Sequence, residues 1–271
     1  MKLKKNSKNL ETKKNIVLEV KNLTIGYKTK KNTVVISENI DFNLLEGELI
    51  GIVGANGIGK STLLRTLSKI QPQLSGNIYL NKKELSQYQS LELAAELSLV
   101  LTEQIPSKNL TVQEIIALGR QPYTNWVGSL TDTDQKKIKE AISLVNLAEL
   151  KHKKCYELSD GQLQKVMIAR ALSQDTTLII LDEPTTHLDI YHKAYILKLL
   201  KKIAHETNKT IIYSTHEIDL AIQLCDKMLV MDKNKIEFGN PCELIEKKIF
   251  NNLFPKDLVN FNPESGTFKI N

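Results

Sequence analysis

The apolar run Leu49-Ile50-Gly51-Ile52-Val53 leads without a break into Gly54-Ala55-Asn56-Gly57-Ile58-Gly59-Lys60-Ser61-Thr62, and "KSTLLRTLSKI" then continues with helical periodicity. A strand, a loop fitting G-x-x-x-x-G-K-[ST] and a helix form the unit in which backbone N–H groups cradle phosphates. The lysine of such a loop reaches the outer phosphates, and the hydroxyl that follows it ligates Mg²⁺. Lys60 and Ser61 fall where a helix N-terminus binds anions. Gly54 to Thr62 are therefore expected to hold a nucleoside triphosphate. Its hydrolysis then serves to move a solute, to remodel DNA or to modify a small molecule.

Charge weighs against the DNA option. The net charge is +6, but residues 1–14 hold six lysines against one glutamate, so the rest of the chain is close to neutral. Only three arginines occur, Arg65, Arg120 and Arg170, whereas base reading leans on arginine. Residues 1–14 are expected to be a solvated, disordered basic tail, and no nucleic-acid partner is expected. Cys155, Cys225 and Cys242 show neither a C-x-x-C pair nor metal-ligand spacing, and are expected to be free thiols. No apolar stretch approaches the roughly 18 residues that span a bilayer, and the N-terminus lacks the apolar segment of a secretory signal. A cytoplasmic protein, in contact with a membrane only indirectly, is the expectation.

Along the chain, "IVLEVKNLTIGY" and "VVISENIDFNLLEGELIGIV" alternate apolar and polar residues and predict paired strands ahead of the phosphate loop. "NIYL" and "SLVLT" are further short strands, the second ending near Gln104. From 111 to 150 the pattern turns helical, with "GRQPYTNWVG" as a loop between "TVQEIIAL" and "TDTDQKKIKEAISLVNLAEL". Helix and strand then alternate through "LSDGQLQKVMIARALS", "TLIILDE", the helix 190–206, "TIIYSTH", "EIDLAIQLC" and "KMLVMD". Such alternation predicts an α/β fold whose parallel sheet is covered on both faces, with ligands at the carboxyl ends of the strands.

The chemistry-bearing residues stand at those ends. The buried-strand pattern Leu178-Ile179-Ile180-Leu181 runs into Asp182 and Glu183. Beside a phosphate loop, the first carboxylate suits Mg²⁺ and the second suits orienting or deprotonating the attacking water. His216 ends "TIIYST", and "LSDGQ" at Leu158 to Gln162 opens a helix. Together with "LIILDEPTTHLD" and "STH", these motifs resemble the nucleotide-binding subunit of ATP-binding cassette (ABC) transporters, in that family's order and spacing, from about Ile16 to the C-terminus.

The resemblance implies a phosphate-loop NTPase fold of the ABC ATPase type. Its RecA-like parallel-sheet core carries an antiparallel β subdomain, a helical subdomain at about 104–173 and a C-terminal extension at about 240–271. It also implies two copies facing head to tail, each ATP lying between the phosphate loop of one and the signature of the other. Ser159 and Gly161 match the positions that meet the γ-phosphate, and Gln162 follows them in the signature. Asp160 departs from the commoner glycine and is expected to turn outward. His216 matches the switch histidine, His187 and Asp189 match the loop lining the dimer interface, and Tyr27 matches the aromatic that stacks on adenine. The glutamine that ligates Mg²⁺ and senses the membrane partner falls on Gln104 by its chemistry, although Glu103 competes for the position. In this scheme Glu183 and His216 are catalytic, while Ser61, Asp182 and Gln104 serve the metal.

"LTVQEIIALGRQPYTNW" and the ending "LFPKDLVNFNPESGTFKI" resemble importer subunits serving ferric siderophores, heme and cobalamin. Ferric siderophore is the first expectation, heme or cobalamin the second. Such ATPases work at the cytoplasmic face of the membrane with two integral membrane permease subunits and, indirectly, an external substrate-binding protein. Residues 104–130 would carry the coupling contacts. The DNA-repair ATPases that share these motifs place a very long coiled coil between glutamine loop and signature, where this chain has about 54 residues. The translation-associated members carry two cassettes in one chain, and this chain has one phosphate loop. A metabolic kinase would leave Leu158–Gln162 and His216 without a role.

Overall fold

The computed structural model describes residues 14–30, 32–101, 108–232, 235–254 and 257–270. The basic segment apart from Lys14, and both Glu103 and Gln104, lie outside the described residues. The chain opens with β1 (Ile16–Lys28) and β2 (Thr33–Leu45), an antiparallel pair, followed across a tight turn at Gly47 by β3 (Leu49–Gly54). Next come α1 (Lys60–Leu67), β4 (Ser75–Leu80), β5 (Lys83–Glu84), α2 (Ser90–Glu96) and β6 (Leu97–Val100). Three helices then follow without an intervening strand: α3 (Val112–Ala117), α4 (Asp132–Leu144) and α5 (Asp160–Ser173). Alternation resumes with β7 (Leu178–Leu181), α6 (Ile190–Thr207), β8 (Thr210–Ser214), α7 (Ile218–Leu224), β9 (Lys227–Met231) and β10 (Ile236–Gly239). The chain closes with α8 (Pro241–Glu246) and the hairpin β11 (Val259–Asn262) and β12 (Thr267–Ile270).

Among the described residues, the central sheet has the order β10-β9-β3-β8-β7-β6, parallel from β9 to β6 with β10 antiparallel at its edge. A second sheet, β2-β1-β4-β5, is antiparallel. The central strands read as continuous apolar runs because both of their faces are buried. The alternation of side chains sorts them cleanly. Ile50, Ile52, Leu178, Ile180 and Ile212 pack with α1 and the antiparallel sheet, whereas Leu49, Val53, Ile179, Leu181, Ile211 and Tyr213 pack with α3 to α7. At roughly 25 cal/mol per Å² of apolar surface removed from water, these two clusters are the main stabilising term.

Helix starts follow local chemistry. Thr111 with Glu114, Thr131 with Asp134 and Ser159 with Gln162 each form a reciprocal capping box, and Asp189 caps α6. Asn208 closes α6 in a left-handed conformation, φ +54°, that asparagine tolerates. The ending "LFPKDLVNFNPESGTFKI" contains the hairpin β11–β12. Several expectations shift. Leu118–Tyr123, from the end of the anticipated helix "TVQEIIAL" into the anticipated "GRQPYTNWVG" loop, forms 3₁₀ turns, the strand in "SLVLT" ends at Val100, and α2, β10 and α8 are additional to the elements expected. The short elements are stabilised by neighbours rather than by their own periodicity.

One buried ion pair ties the three helices of this segment to one another. Arg120 Nε donates to Asp134 Oδ1 at 2.8 Å, with both side chains at least nine-tenths buried, and its Nη1 donates to the Ser173 carbonyl at 2.8 Å. The Tyr123 ring lies over the guanidinium, 3.9 Å from Cζ to its centroid. Asp134 also accepts from the Thr131 hydroxyl and backbone N–H, and the hydroxyl bond, followed by the backbone bond and Arg120, holds its carboxyl below the usual pKa. Removing the carboxylate leaves a buried cation unpaired. Asp134→Ala is accordingly expected to lower unfolding free energy by about 3–5 kcal/mol, measured by chemical denaturation. Because the folded pKa is depressed, the wild-type contribution is present above the unfolded pKa and is lost as pH falls through the folded one.

Candidate functional site

The carboxyl ends of β3, β7 and β8 lie on adjacent or next-adjacent strands and deliver Gly54, Asp182 and Thr215-His216 to one edge of the sheet. Between β3 and α1 the loop bends through Gly57 (φ +74°) and Gly59 (φ +113°). Gly59 has a second reason to be glycine, since a Cβ there would sit 2.4 Å from Ile36 Cγ2. Gly59 is also the N-cap of α1 and offers no side chain to its first N–H groups, which leaves them for an anion. Lys60 is buried and donates to the carbonyls of Gly54 at 3.0 Å and Ala55 at 3.2 Å. Burial pushes its pKa below the ordinary lysine value, an effect that Glu183 and Asp182 oppose.

Asp182 is the meeting point. Its Oδ1 accepts from Ser61 Oγ at 3.1 Å and from Ser214 Oγ at 2.7 Å, and its N–H donates to the Val100 carbonyl at 2.8 Å. Ser214 also accepts the N–H of Glu183 at 2.9 Å, so one fully buried hydroxyl orients both carboxylate residues. Glu183 holds a left-handed backbone, φ +48°. That conformation is uncommon outside glycine, asparagine and aspartate, and such strain clusters at functional sites. Its side chain accepts from His216 Nε2 at 2.6 Å and from Thr186 Oγ1 at 3.1 Å. The phosphate loop, Asp182, Glu183 and His216 thus form one connected constellation.

The other expected residues lie around it. Tyr27 hydrogen-bonds Thr62 through its hydroxyl at 2.9 Å, while about half of its surface stays open to solvent beside the loop. Ser159 caps α5, accepting the N–H of Gln162 at 3.3 Å, and its own N–H donates to Gln162 Oε1 at 3.1 Å. The Ser159 hydroxyl proton remains available to an incoming acceptor. Asp160 is exposed, as an outward carboxylate requires. Among the described residues, no hydrogen bond or ion pair joins Ser159, Gly161 or Gln162 to the phosphate loop. Sequence reasoning missed Ser214, Thr186 and Ile36. A small hydroxyl at the carboxyl end of a wholly buried strand, two residues before His216, was the available signal for Ser214.

A family model described as "ABC transporter" matches residues 37–186, over half of the chain. The chain belongs to the ABC transporter family. It is 39% identical to an uncharacterised ABC transporter ATP-binding protein of Methanocaldococcus jannaschii, over 94% of this chain and 87% of that one. It is 35% identical to the iron(3+)-hydroxamate import ATP-binding protein of Bacillus subtilis, over 89% and 88% respectively. Among solved structures it superposes, with a TM-score of 0.69 and 26% identity, on a dimeric ATP-binding cassette in a post-hydrolysis state with ADP and phosphate, over 83% of this chain and 98% of that one. The architecture is therefore the ABC ATPase fold anticipated from the motifs, and the chain is an ATP hydrolase of an ABC transporter. No helix among the described residues is long and apolar enough to cross a membrane.

Two outcomes follow for this ABC ATPase. Ser214→Ala is expected to slow phosphate release about 10–100-fold, the usual cost of a lost orienting group. Its ATP affinity should stay within about threefold, because no phosphate contact is touched. An unchanged turnover would reduce Ser214 to a space-filling role. Phosphates seated on Lys60 would favour its charged form, so ATP affinity is expected to fall, and binding to take up protons, as pH rises through the depressed Lys60 pKa. Lys60→Arg keeps its charge in that range and should flatten the slope in calorimetric titrations.

Proposed function

We propose that the chain powers import of a ferric siderophore, working as a head-to-tail pair of copies against two membrane permease subunits fed by an external binding protein. The connected Ser61–Asp182–Ser214–Glu183–His216 array carries the reading, because it gathers beside Lys60 groups suited to Mg²⁺ and to the attacking water, while leaving the far side of the γ-phosphate without a donor from the same copy. Ser159 and Gly161, with Gln162 capping the same turn, suit that missing part when presented by the second copy. The homologous cassette that is dimeric with ADP and phosphate supports this pairing. Ferric siderophore follows from the iron(3+)-hydroxamate import relative, with heme or cobalamin as the second choice.

In this scheme ATP lies with adenine against Tyr27 and its phosphates on the N–H groups of residues 54–62 and the Lys60 ammonium. Ser61 and Asp182 suit Mg²⁺: one hydroxyl and one carboxylate 3.1 Å apart fit an ion that keeps waters and takes few protein ligands. When bound, it neutralises charge developing between the β- and γ-phosphates. Glu183 orients the attacking water and accepts its proton, and His216, already bonded to Glu183, holds the γ-phosphate side. Asp189 lines the interface between copies, and Gln104 joins the metal site. Residues 240–271 serve as an extension of the cassette. The segment 104–130 grips the permease from the cytoplasmic face. Trp126, 97% exposed, with exposed Tyr123 and Val127, gives that segment an apolar tip suited to a protein partner.

Glu183→Gln is expected to slow hydrolysis at least about 100-fold with ATP binding preserved. Cells carrying only this variant should lose uptake of labelled ferric siderophore while heme and cobalamin still enter. Loss of heme or cobalamin uptake instead would move the substrate to the second choice, and unchanged uptake of all three would remove this importer assignment.

A further inference from the structure

The structure joins two loops that the family motifs treat separately. Asp189 caps α6, and a single residue occupies both of its carboxylate oxygens: the His192 N–H donates to Oδ1 at 2.9 Å and its Nδ1 donates to Oδ2 at 2.8 Å. Both bonds, the backbone one first, hold the Asp189 carboxyl below its ordinary pKa. The opposite edge of the same imidazole faces the signature turn. A Cβ at Gly161 would lie 2.9 Å from His192 Cδ2, 3.5 Å from Cγ and 3.6 Å from Nε2. Gly161 does not belong to the glycines with positive φ, so its backbone conformation does not demand glycine. The ring does. Tyr191 adds an edge-on contact at 5.4 Å between centroids, with planes at 90°. The next residue, Lys193, pairs with Glu217, directly after His216.

We propose that His192 is a positioning residue that locks the signature turn to the Asp189 loop, so that each copy presents both as one rigid surface to the ATP held by its partner. The proposal rests on the head-to-tail reading above. His192 touches neither ATP nor the reacting water. Its effect is to fix Gly161 and Ser159 relative to Asp189 before the copies meet, which spares the ordering cost that association otherwise incurs. Lys193, on the same turn of α6, ties that surface to the segment carrying His216. A signature turn that recognises the far γ-phosphate and a histidine that serves the near one are thereby joined through adjacent residues of a single helix.

Dimerisation driven by ATP is the sensitive readout, measured by analytical ultracentrifugation of the full chain in the Glu183→Gln background. Adding His192→Ala is expected to raise the ATP concentration at half-dimerisation about tenfold, in the range measured for residues of one network. His192→Asn retains an N–H donor near the Nδ1 position and should restore the midpoint to within about threefold. Nucleotide binding to the single copy, read with a fluorescent ATP analogue at low protein concentration, should not change. If the alanine variant does not fold, His192→Phe keeps the ring, removes the donor, and should show the same shift. A midpoint equal to that of the Glu183→Gln control, or an equal weakening of single-copy ATP binding, would overturn the role of His192. If the control itself stays monomeric with ATP, the shared-site reading fails and the proposal goes with it.

Discussion

The Asp182 carboxylate binds three separate parts of the chain at one point. It ends β7, receives the Ser61 hydroxyl from the first turn of α1, and receives the Ser214 hydroxyl from the end of β8. Those three elements are far apart in sequence, and only the order β3-β8-β7 of the parallel sheet brings them together. The sheet must be buried on both faces for this edge to be held rigidly, and the two apolar clusters provide that. The geometry of this constellation is thus a consequence of core packing.

Electrostatics explains why the arrangement suits a polyphosphate. A buried lysine, two adjacent carboxylates and a histidine crowd one edge, and Lys60 is held on the carbonyls of Gly54 and Ala55. Burial disfavours its charge and the neighbouring carboxylates favour it. An incoming phosphate chain would place further negative charge beside Lys60 and bring acceptors for the N–H groups of the loop. The strained Glu183 backbone fits the same pattern, with its side chain pinned by His216 and Thr186 in advance of any substrate.

Much of this was legible in the sequence because it rests on local spacing. The phosphate loop, "LIILDE" and "STH" each pair a strand signature with a polar residue at its carboxyl end, and motif spacing together with the family resemblance placed them. The capping boxes of α3, α4 and α5 were equally local. What escaped notice depends on contacts between distant residues. Ser214 bridges two carboxylate residues 31 and 32 positions away, Ile36 comes from another sheet to press on Gly59, and His192 gains its meaning only once Gly161 is beside it. The short helices α2 and α8, of seven and six residues, carry too few turns to show a period.

In the proposed head-to-tail pair, one copy holds only part of each ATP site and the signature turn completes the site of its neighbour. Hydrolysis by a Ser159→Arg chain tests this most directly, because the substitution lies outside the phosphate-loop constellation and leaves its Asp182 network intact. Such a chain is expected to fold and to bind ATP with wild-type affinity yet to release phosphate at least about 100-fold more slowly. Phosphate release at the wild-type rate would contradict it, and would mean that each copy hydrolyses ATP alone.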